Sequence, residues 1–223
     1  MERTIHTERT DPDNRCSHIP APLQIIGEAP TSERFDELAA TVQGCRLCPR
    51  MEGRRRVLGR DNGNLHARIM FVAEAPGRLG ADRSGVPLSG DQTGRNFATL
   101  LAQAGIERSE IFVTNAVLCN PRDVHGNNAT PSAKEIRNCA PHLAATIDII
   151  APEIVVALGQ AALKALGLVC AHEAVLSRDV GKAIQWYGRT LVPLYHPGPR
   201  ACIRRPLEIQ REDYRQLGLL TRR

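Results

Sequence analysis

Four short runs govern what this chain can fold into: R-I-M-F-V-A-E at residues 68–74, E-I-F-V-T-N-A-V at 110–117, E-I-V-V-A-L-G at 153–159 and R-T-L-V-P-L-Y-H at 189–196. Each is rich in β-branched residues and apolar at consecutive positions, which is the pattern of a strand covered on both faces. Between and after them, Thr93–Ala104, Ser132–Ile150, Gln160–Leu166 and Leu207–Leu220 carry the 3.6-residue apolar spacing of helices. Strands alternating with helices predict an α/β fold, a three-layer sandwich with a central four-stranded parallel sheet. In such a sheet ligands meet the carboxyl ends of the strands. Glu74, Asn115, Gly159 with Gln160, and His196 each stand at such an end, one per strand.

A chain of 223 residues suits one sizeable domain with a tail. Residues 1–30 are polar and carry Pro12, Pro20, Pro22 and Pro30, so they read as a disordered arm, leaving 31–223 as the domain. A near copy of the first strand's ending, I-I-G-E-A-P, closes that arm. There the apolar run is too short for a buried strand, and T-S-E-R-F-D-E-L-A-A-T-V follows with helical spacing, so Glu28 reads as a helix approach. Aromatic residues are only 4% of the chain against 42% apolar, which predicts a core of Ala, Val, Leu and Ile.

Net charge is +5, and 26 of the 29 basic residues are arginine, whose planar fork suits phosphate and so predicts a polyanionic partner. Asp148 and Glu153 interrupt the longest apolar stretch, and the start M-E-R-T-I-H-T-E-R-T lacks the apolar segment of a secretory signal. The sequence therefore predicts a cytoplasmic, monomeric protein with no membrane partner.

Seven cysteines without a secretory signal argue against a disulfide framework. Cys45 and Cys48 form C-R-L-C, Cys119 follows the second strand and Cys139 lies on the next helix. Those four thiols can converge on a single site, and structural zinc and iron–sulfur clusters both accept four cysteines. Cys16, Cys170 and Cys202 have no such spacing and read as ordinary thiols.

In A-E-A-P-G, Gly77 permits close approach of a ligand and Glu74 could orient a water. His196 opens H-P-G-P-R-A-C-I-R-R-P, a loop stiffened by Pro197 and Pro199 and bent at Gly198, in which Arg200, Arg204 and Arg205 are candidate phosphate contacts. His6, His18, His66, His125, His142 and His172 read as structural.

Taken together, C-R-L-C-P-R, A-E-A-P-G, D-R-S-G-V-P-L-S-G-D-Q-T-G, T-N-A-V-L-C-N-P, T-P-S-A-K-E-I-R-N-C, A-L-G-Q-A-A and Y-H-P resemble the uracil-DNA glycosylase superfamily, in particular its thermophile-type families four and five, over roughly residues 35–217. The resemblance implies a [4Fe-4S] cluster on Cys45, Cys48, Cys119 and Cys139. It implies that Glu74 positions the nucleophilic water, with Ala75, Pro76 and Gly77 beside the base. Asn115 would read the Watson–Crick edge of the flipped base, and His196 would donate to its O2. Gly198, Pro199 and Arg200 would wedge into the duplex, and the amides at Gly159 and Gln160 would grip a phosphate.

Family four has Gly where this chain has Ala73, and an aromatic ring where it has Leu88. The stretch around Asp91 is more similar to family five, which makes Asp91 a second candidate carboxylate beside its reading as a helix N-cap. That kinship also admits hypoxanthine or xanthine as substrates. The function so implied is hydrolytic excision of uracil from single- or double-stranded DNA. Lys134, Lys164 and Lys182 are the only lysines and none falls in a motif, which argues against lyase chemistry. A cluster-bearing DNA-damage-binding protein without turnover is the alternative, and a small-molecule hydrolase ranks last.

Overall fold

The computed structural model describes Cys16 and residues 29–222. Apart from Cys16, Ala29 and Pro30, the arm expected over residues 1–30, with Glu28, lies outside them. Helix α1 (Thr31–Gly44) leads through a loop to strand β1 (Ile69–Ala73), a helical turn α2 (Ala81–Ser84) and helix α3 (Gln92–Ala104). Strand β2 (Ile111–Asn115), helix α4 (Ala133–Ile150), strand β3 (Ile154–Leu158) and helix α5 (Gln160–Val169) follow. A turn α6 (Leu176–Asp179), a hairpin of β4 (Ile184–Trp186) and β5 (Arg189–Leu194), a turn α7 (Pro199–Cys202) and helix α8 (Leu207–Thr221) complete the chain.

The sheet runs β2-β1-β3-β5-β4. Its first four members are parallel and are the four strands expected, while β4 adds an antiparallel edge. Three residues, I-Q-W, are too few to signal a strand by pattern. Their pairing depends on Tyr187 and Gly188, both at positive φ (50° and 65°), which is the two-residue turn matched to strand twist. Pro193 is tolerated inside β5 because β4 pairs only as far as Leu191. Beyond that point no ladder N–H is required, and the Pro193 carbonyl accepts from Gly181 N at 2.9 Å instead.

Alternation along each strand sends side chains into two cores. Met70, Val72, Phe112, Val155 and Ala157 pack with α1, α4 and α5 through Phe35, Leu38, Ile147 and Leu166. Phe71, Val113, Val156 and Val192 pack with α3 and α8 through Phe97, Leu100, Tyr214 and Leu217. Each large side chain so buried contributes about 2 kcal/mol. Helix α8 approaches α3 so closely that a methyl group on Gly218 would stand 2.2 Å from the Ala104 carbonyl oxygen. With helices closing both faces, the sandwich leaves its polar strand ends as the place for a ligand.

One expectation is corrected. Cys16 and Cys170 are not ordinary thiols but are bonded as a disulfide. A separation of 154 positions gives no spacing signal, and the pairing arises only because the end of α5 carries Cys170 to the position of Cys16. Among the described residues, no helix is long and apolar enough to cross a membrane.

Candidate active site

The strand order places the carboxyl ends side by side as Asn115, Glu74, Gly159 and His196. Connections leave β1 toward β2 and return past it to β3, so the crevice opens between Glu74 and Gly159. Glu74 and His196 sit two strand spacings apart, roughly 10 Å, enough to admit a planar ring between them.

Asn115 is paired in register with Ala73 and is buried, yet among the described residues its Nδ2 has no hydrogen-bond partner. An unsatisfied buried amide is costly. That of Asn115 stands at the rim, at the carboxyl end of β2.

Glu74 is half-buried, and among the described residues its carboxylate accepts no hydrogen bond from a protein group. Burial raises its pKa above the ordinary 4.5, opposed by the charge of Arg200. Arg200 stands in the exposed turn α7, near enough for its charge to act on that carboxylate.

His196 is fixed by its own loop. Gly198 N–H donates to His196 Nδ1 at 3.0 Å, so the neutral ring carries its proton on Nε2. Burial pushes the imidazole down to about 4, with the Asp91 charge acting in the opposite sense. The group presented at the rim is thus a neutral N–H donor. A side chain on Gly198 would come 2.8 Å from Nδ1, which explains why the bend is glycine.

Two buried amides brace the loops. Asn96 of α3 donates to the Pro197 carbonyl at 2.7 Å and accepts from Gln92 at 2.8 Å. Asn120 donates to the Pro76 carbonyl at 2.6 Å, and Asn128 Oδ1 accepts from Arg78 N at 2.9 Å. Sequence reasoning missed both Asn96 and Asn120, because an asparagine within a helix or loop carries no signal until its partner is known.

Asp91 N-caps α3, accepting from Gly94 N at 2.9 Å. Its other oxygen lies against the first loop, where a methyl group on Gly77 or Gly80 would stand 3.0 or 2.8 Å away. Leu88 holds a left-handed φ of 50°, an unusual state for a branched side chain, and the missing side chain of Gly94 lets the backbone at Leu88 and Ser89 pack against α3. Gly159, at φ 95°, caps α5 without a side chain and leaves the first amides of that helix, from Gln160 onward, facing the crevice. Pro199 and Arg200 are exposed on the opposite wall. Arg205 is not a free phosphate contact as expected. It makes two hydrogen bonds of 2.6 Å to Asp213 and lies over the Tyr195 ring, which ties the loop to α8.

Cys45, Cys48, Cys119 and Cys139 line one cavity with Met51, Arg56 and Asn138. Burial pushes the Cys119 thiol up to about 11 and that of Cys139 to about 12. Leu118 N–H points at Cys139 Sγ and Asn138 Nδ2 at Cys48 Sγ, each at 3.5 Å. The C-R-L-C loop is locked to α4 by Arg50, which grips Glu135 at 2.6 and 2.9 Å and holds that carboxyl below its ordinary range. Among the described residues, no three His, Cys, Asp or Glu side chains converge tightly enough to hold a single metal ion.

A parallel sheet covered on both faces, with an amide, a carboxylate and a neutral imidazole at its strand ends, defines an α/β protein whose polar groups gather at one rim. The family model for the uracil DNA glycosylase superfamily matches residues 60–217. A Type-4 uracil-DNA glycosylase of Thermotoga maritima is 34% identical over 166 residues, spanning 74% of this chain and 82% of that protein. One from Pyrobaculum aerophilum is 33% identical over 179 residues, 77% of this chain and 86% of its own. A Type-5 uracil-DNA glycosylase of the same organism is 27% identical over 194 residues, 74% and 83% of the two chains. The chain belongs to the uracil DNA glycosylase superfamily.

Proposed function

We propose that the protein is a monofunctional DNA glycosylase that flips uracil out of DNA and hydrolyses its bond to the sugar, leaving an abasic site. The observation that carries this reading is the pairing of Asn115 Nδ2, buried and unpartnered, with a His196 ring whose proton is confined to Nε2. Two donors at the ends of β2 and β5 suit the two carbonyl oxygens of a uracil ring. A cytosine would present an amine to one of them.

Cleavage of the bond from C1′ to the base leaves an anionic base and a cation-like sugar, so the site must stabilise both charges. The neutral His196 N–H stabilises charge growing on the base oxygen without moving a proton. On the other side of the ring, the Glu74 carboxylate stabilises the sugar cation and orients the attacking water, whose proton it takes. In this reading the first amides of α5 and Arg200 hold the strand by its phosphates while the base is out of the stack. Leu88 packs against the base edge as an apolar contact. Hypoxanthine, whose single carbonyl could still accept from His196 or Asn115, belongs to the proposed substrate range.

In a single-turnover assay on a uracil oligonucleotide at saturating protein, Glu74→Gln is expected to slow excision by roughly 100- to 10,000-fold. The wild-type rate should rise with pH through an acid limb above 4.5, because burial delays ionisation of Glu74, and stay flat through 6.5, because His196, at about 4, is already neutral there. In Arg200→Gln the limb should move further up, since the cation that opposes burial is gone. An inflection at 6.5 that vanishes in His196→Ala, or DNA binding with no product at any pH, would contradict the assignment.

The cysteines fit an iron–sulfur cluster better than zinc. Four thiols lining one cavity supply the full ligand count of a cluster, and the family likeness favours iron over zinc. Cys45, Cys48, Cys119 and Cys139 would hold a [4Fe-4S] cluster, which when bound supplies a cross-link between the C-R-L-C loop and both ends of the β2–α4 connection. Protein purified without oxygen should contain about four iron and four sulfide ions per chain and lose them in Cys139→Ser. Stoichiometric zinc in their place would overturn this part of the reading.

A further inference from the structure

Beside the cysteine loop lies an open pocket of about 480 Å³, lined by Gly53, Arg54, Arg55, Arg56, Asp82 and Arg122. Four guanidiniums there face one carboxylate, and the lining includes no aromatic ring or side-chain amide that could read a base.

Two of the arginines are fixed by the protein. Arg122 binds Asp82 at 2.5 Å and Asn120 at 2.8 Å. Arg56 donates to the Cys45 carbonyl at 2.7 and 3.2 Å and to the Arg54 carbonyl at 2.9 Å. The other two have donors to spare. Arg55 makes one long bond, 3.3 Å to the Asp82 carbonyl, and among the described residues the Arg54 guanidinium bonds to no protein group, its Nε being buried without a partner. Asp82 pairs with Arg122 through one oxygen and its other oxygen is buried without a partner among the described residues, so four guanidiniums against one carboxylate leave the pocket a positive excess.

The pocket and the candidate active site share one turn. Gly77 O accepts from Gly80 N at 3.1 Å and from Asp82 N at 3.0 Å, and Asn120, which orients Arg122, also holds the Pro76 carbonyl. We propose that this pocket takes a backbone phosphate of the DNA strand a few nucleotides outside the excised one. The proposal rests on the glycosylase reading and extends the bound strand past the A-E-A-P-G loop toward the cysteine loop. Contacts of this kind position the strand and carry no sequence preference. Because Arg56 is anchored on the Cys45 carbonyl, the site also couples DNA grip to the order of the cysteine loop.

The test is binding of labelled single-stranded oligonucleotides across a series of salt concentrations, for the wild type, Arg54→Gln/Arg55→Gln and Arg54→Lys/Arg55→Lys. Neutralising the two forks should weaken binding to uracil-free and uracil-containing strands alike and lower the slope of log K against log salt by about 0.7 for the phosphate lost. The lysine variant, which keeps the charge, should retain most of the slope. Strands lengthened from uracil on only the 5′ or only the 3′ side should gain affinity on one side in the wild type, and the glutamine variant should lose that gain. Equal slopes and equal length dependence in the wild type and the glutamine variant would overturn the proposal. Failure of the glycosylase reading looks different, since the wild type would then leave uracil strands uncut whatever the slopes.

Discussion

Closure of the sheet on both faces is the constraint on which the rest of the molecule depends. Phe71 and Val113 face α3 and α8, and Met70 and Phe112 face α1 and α4. Every residue of β1, β2 and β3 is buried, so polar groups of these strands meet water only beyond their ends. The parallel order then sets four such ends in a row and fixes the neighbours of each. Asn115 is beside Glu74 because β2 pairs β1 residue for residue, and His196 is two strands away because β3 lies between. Backbone pairing thereby sets the order and spacing of the strand ends from which Asn115, Glu74 and His196 are presented, and the loop after β5 then fixes the His196 ring.

The same burial tunes the groups. It lowers the pKa of His196, raises that of the Glu74 carboxyl and leaves Asn115 with a donor that no group among the described residues uses. Each of these costs stability in the free protein. The loops contribute restraint: Asn96 fixes Pro197, Asn120 fixes Pro76, and Gly198 both bends the chain and sets the tautomer of His196. The Arg200 charge opposes the effect of burial on Glu74.

The strands and long helices were legible in the sequence because their apolar spacing is local, and the rim residues because each ends such a run. The cysteine pairs could be grouped from spacing together with family likeness. What stayed hidden was pairing at a distance. Asn96 and Pro197 are 101 residues apart, Cys16 and Cys170 are 154 apart, and Arg122 meets Asp82 across 40. The edge strand β4 was too short to announce itself, and Arg205 looked like a surface cation until Asp213 was seen beneath it. Local pattern specifies the frame, whereas braces and ion pairs depend on which loops the frame brings together.

The central claim is that the ends of β2 and β5 grip one flipped base while β1 delivers the carboxylate. A crystal structure of Glu74→Gln bound to an uncleaved uracil-containing strand tests it most directly. The account predicts the uracil out of the stack, one carbonyl oxygen on Asn115 Nδ2, O2 on His196 Nε2, and C1′ facing residue 74. A base held elsewhere, or left stacked in the strand with Asn115 Nδ2 still unpartnered, would contradict it.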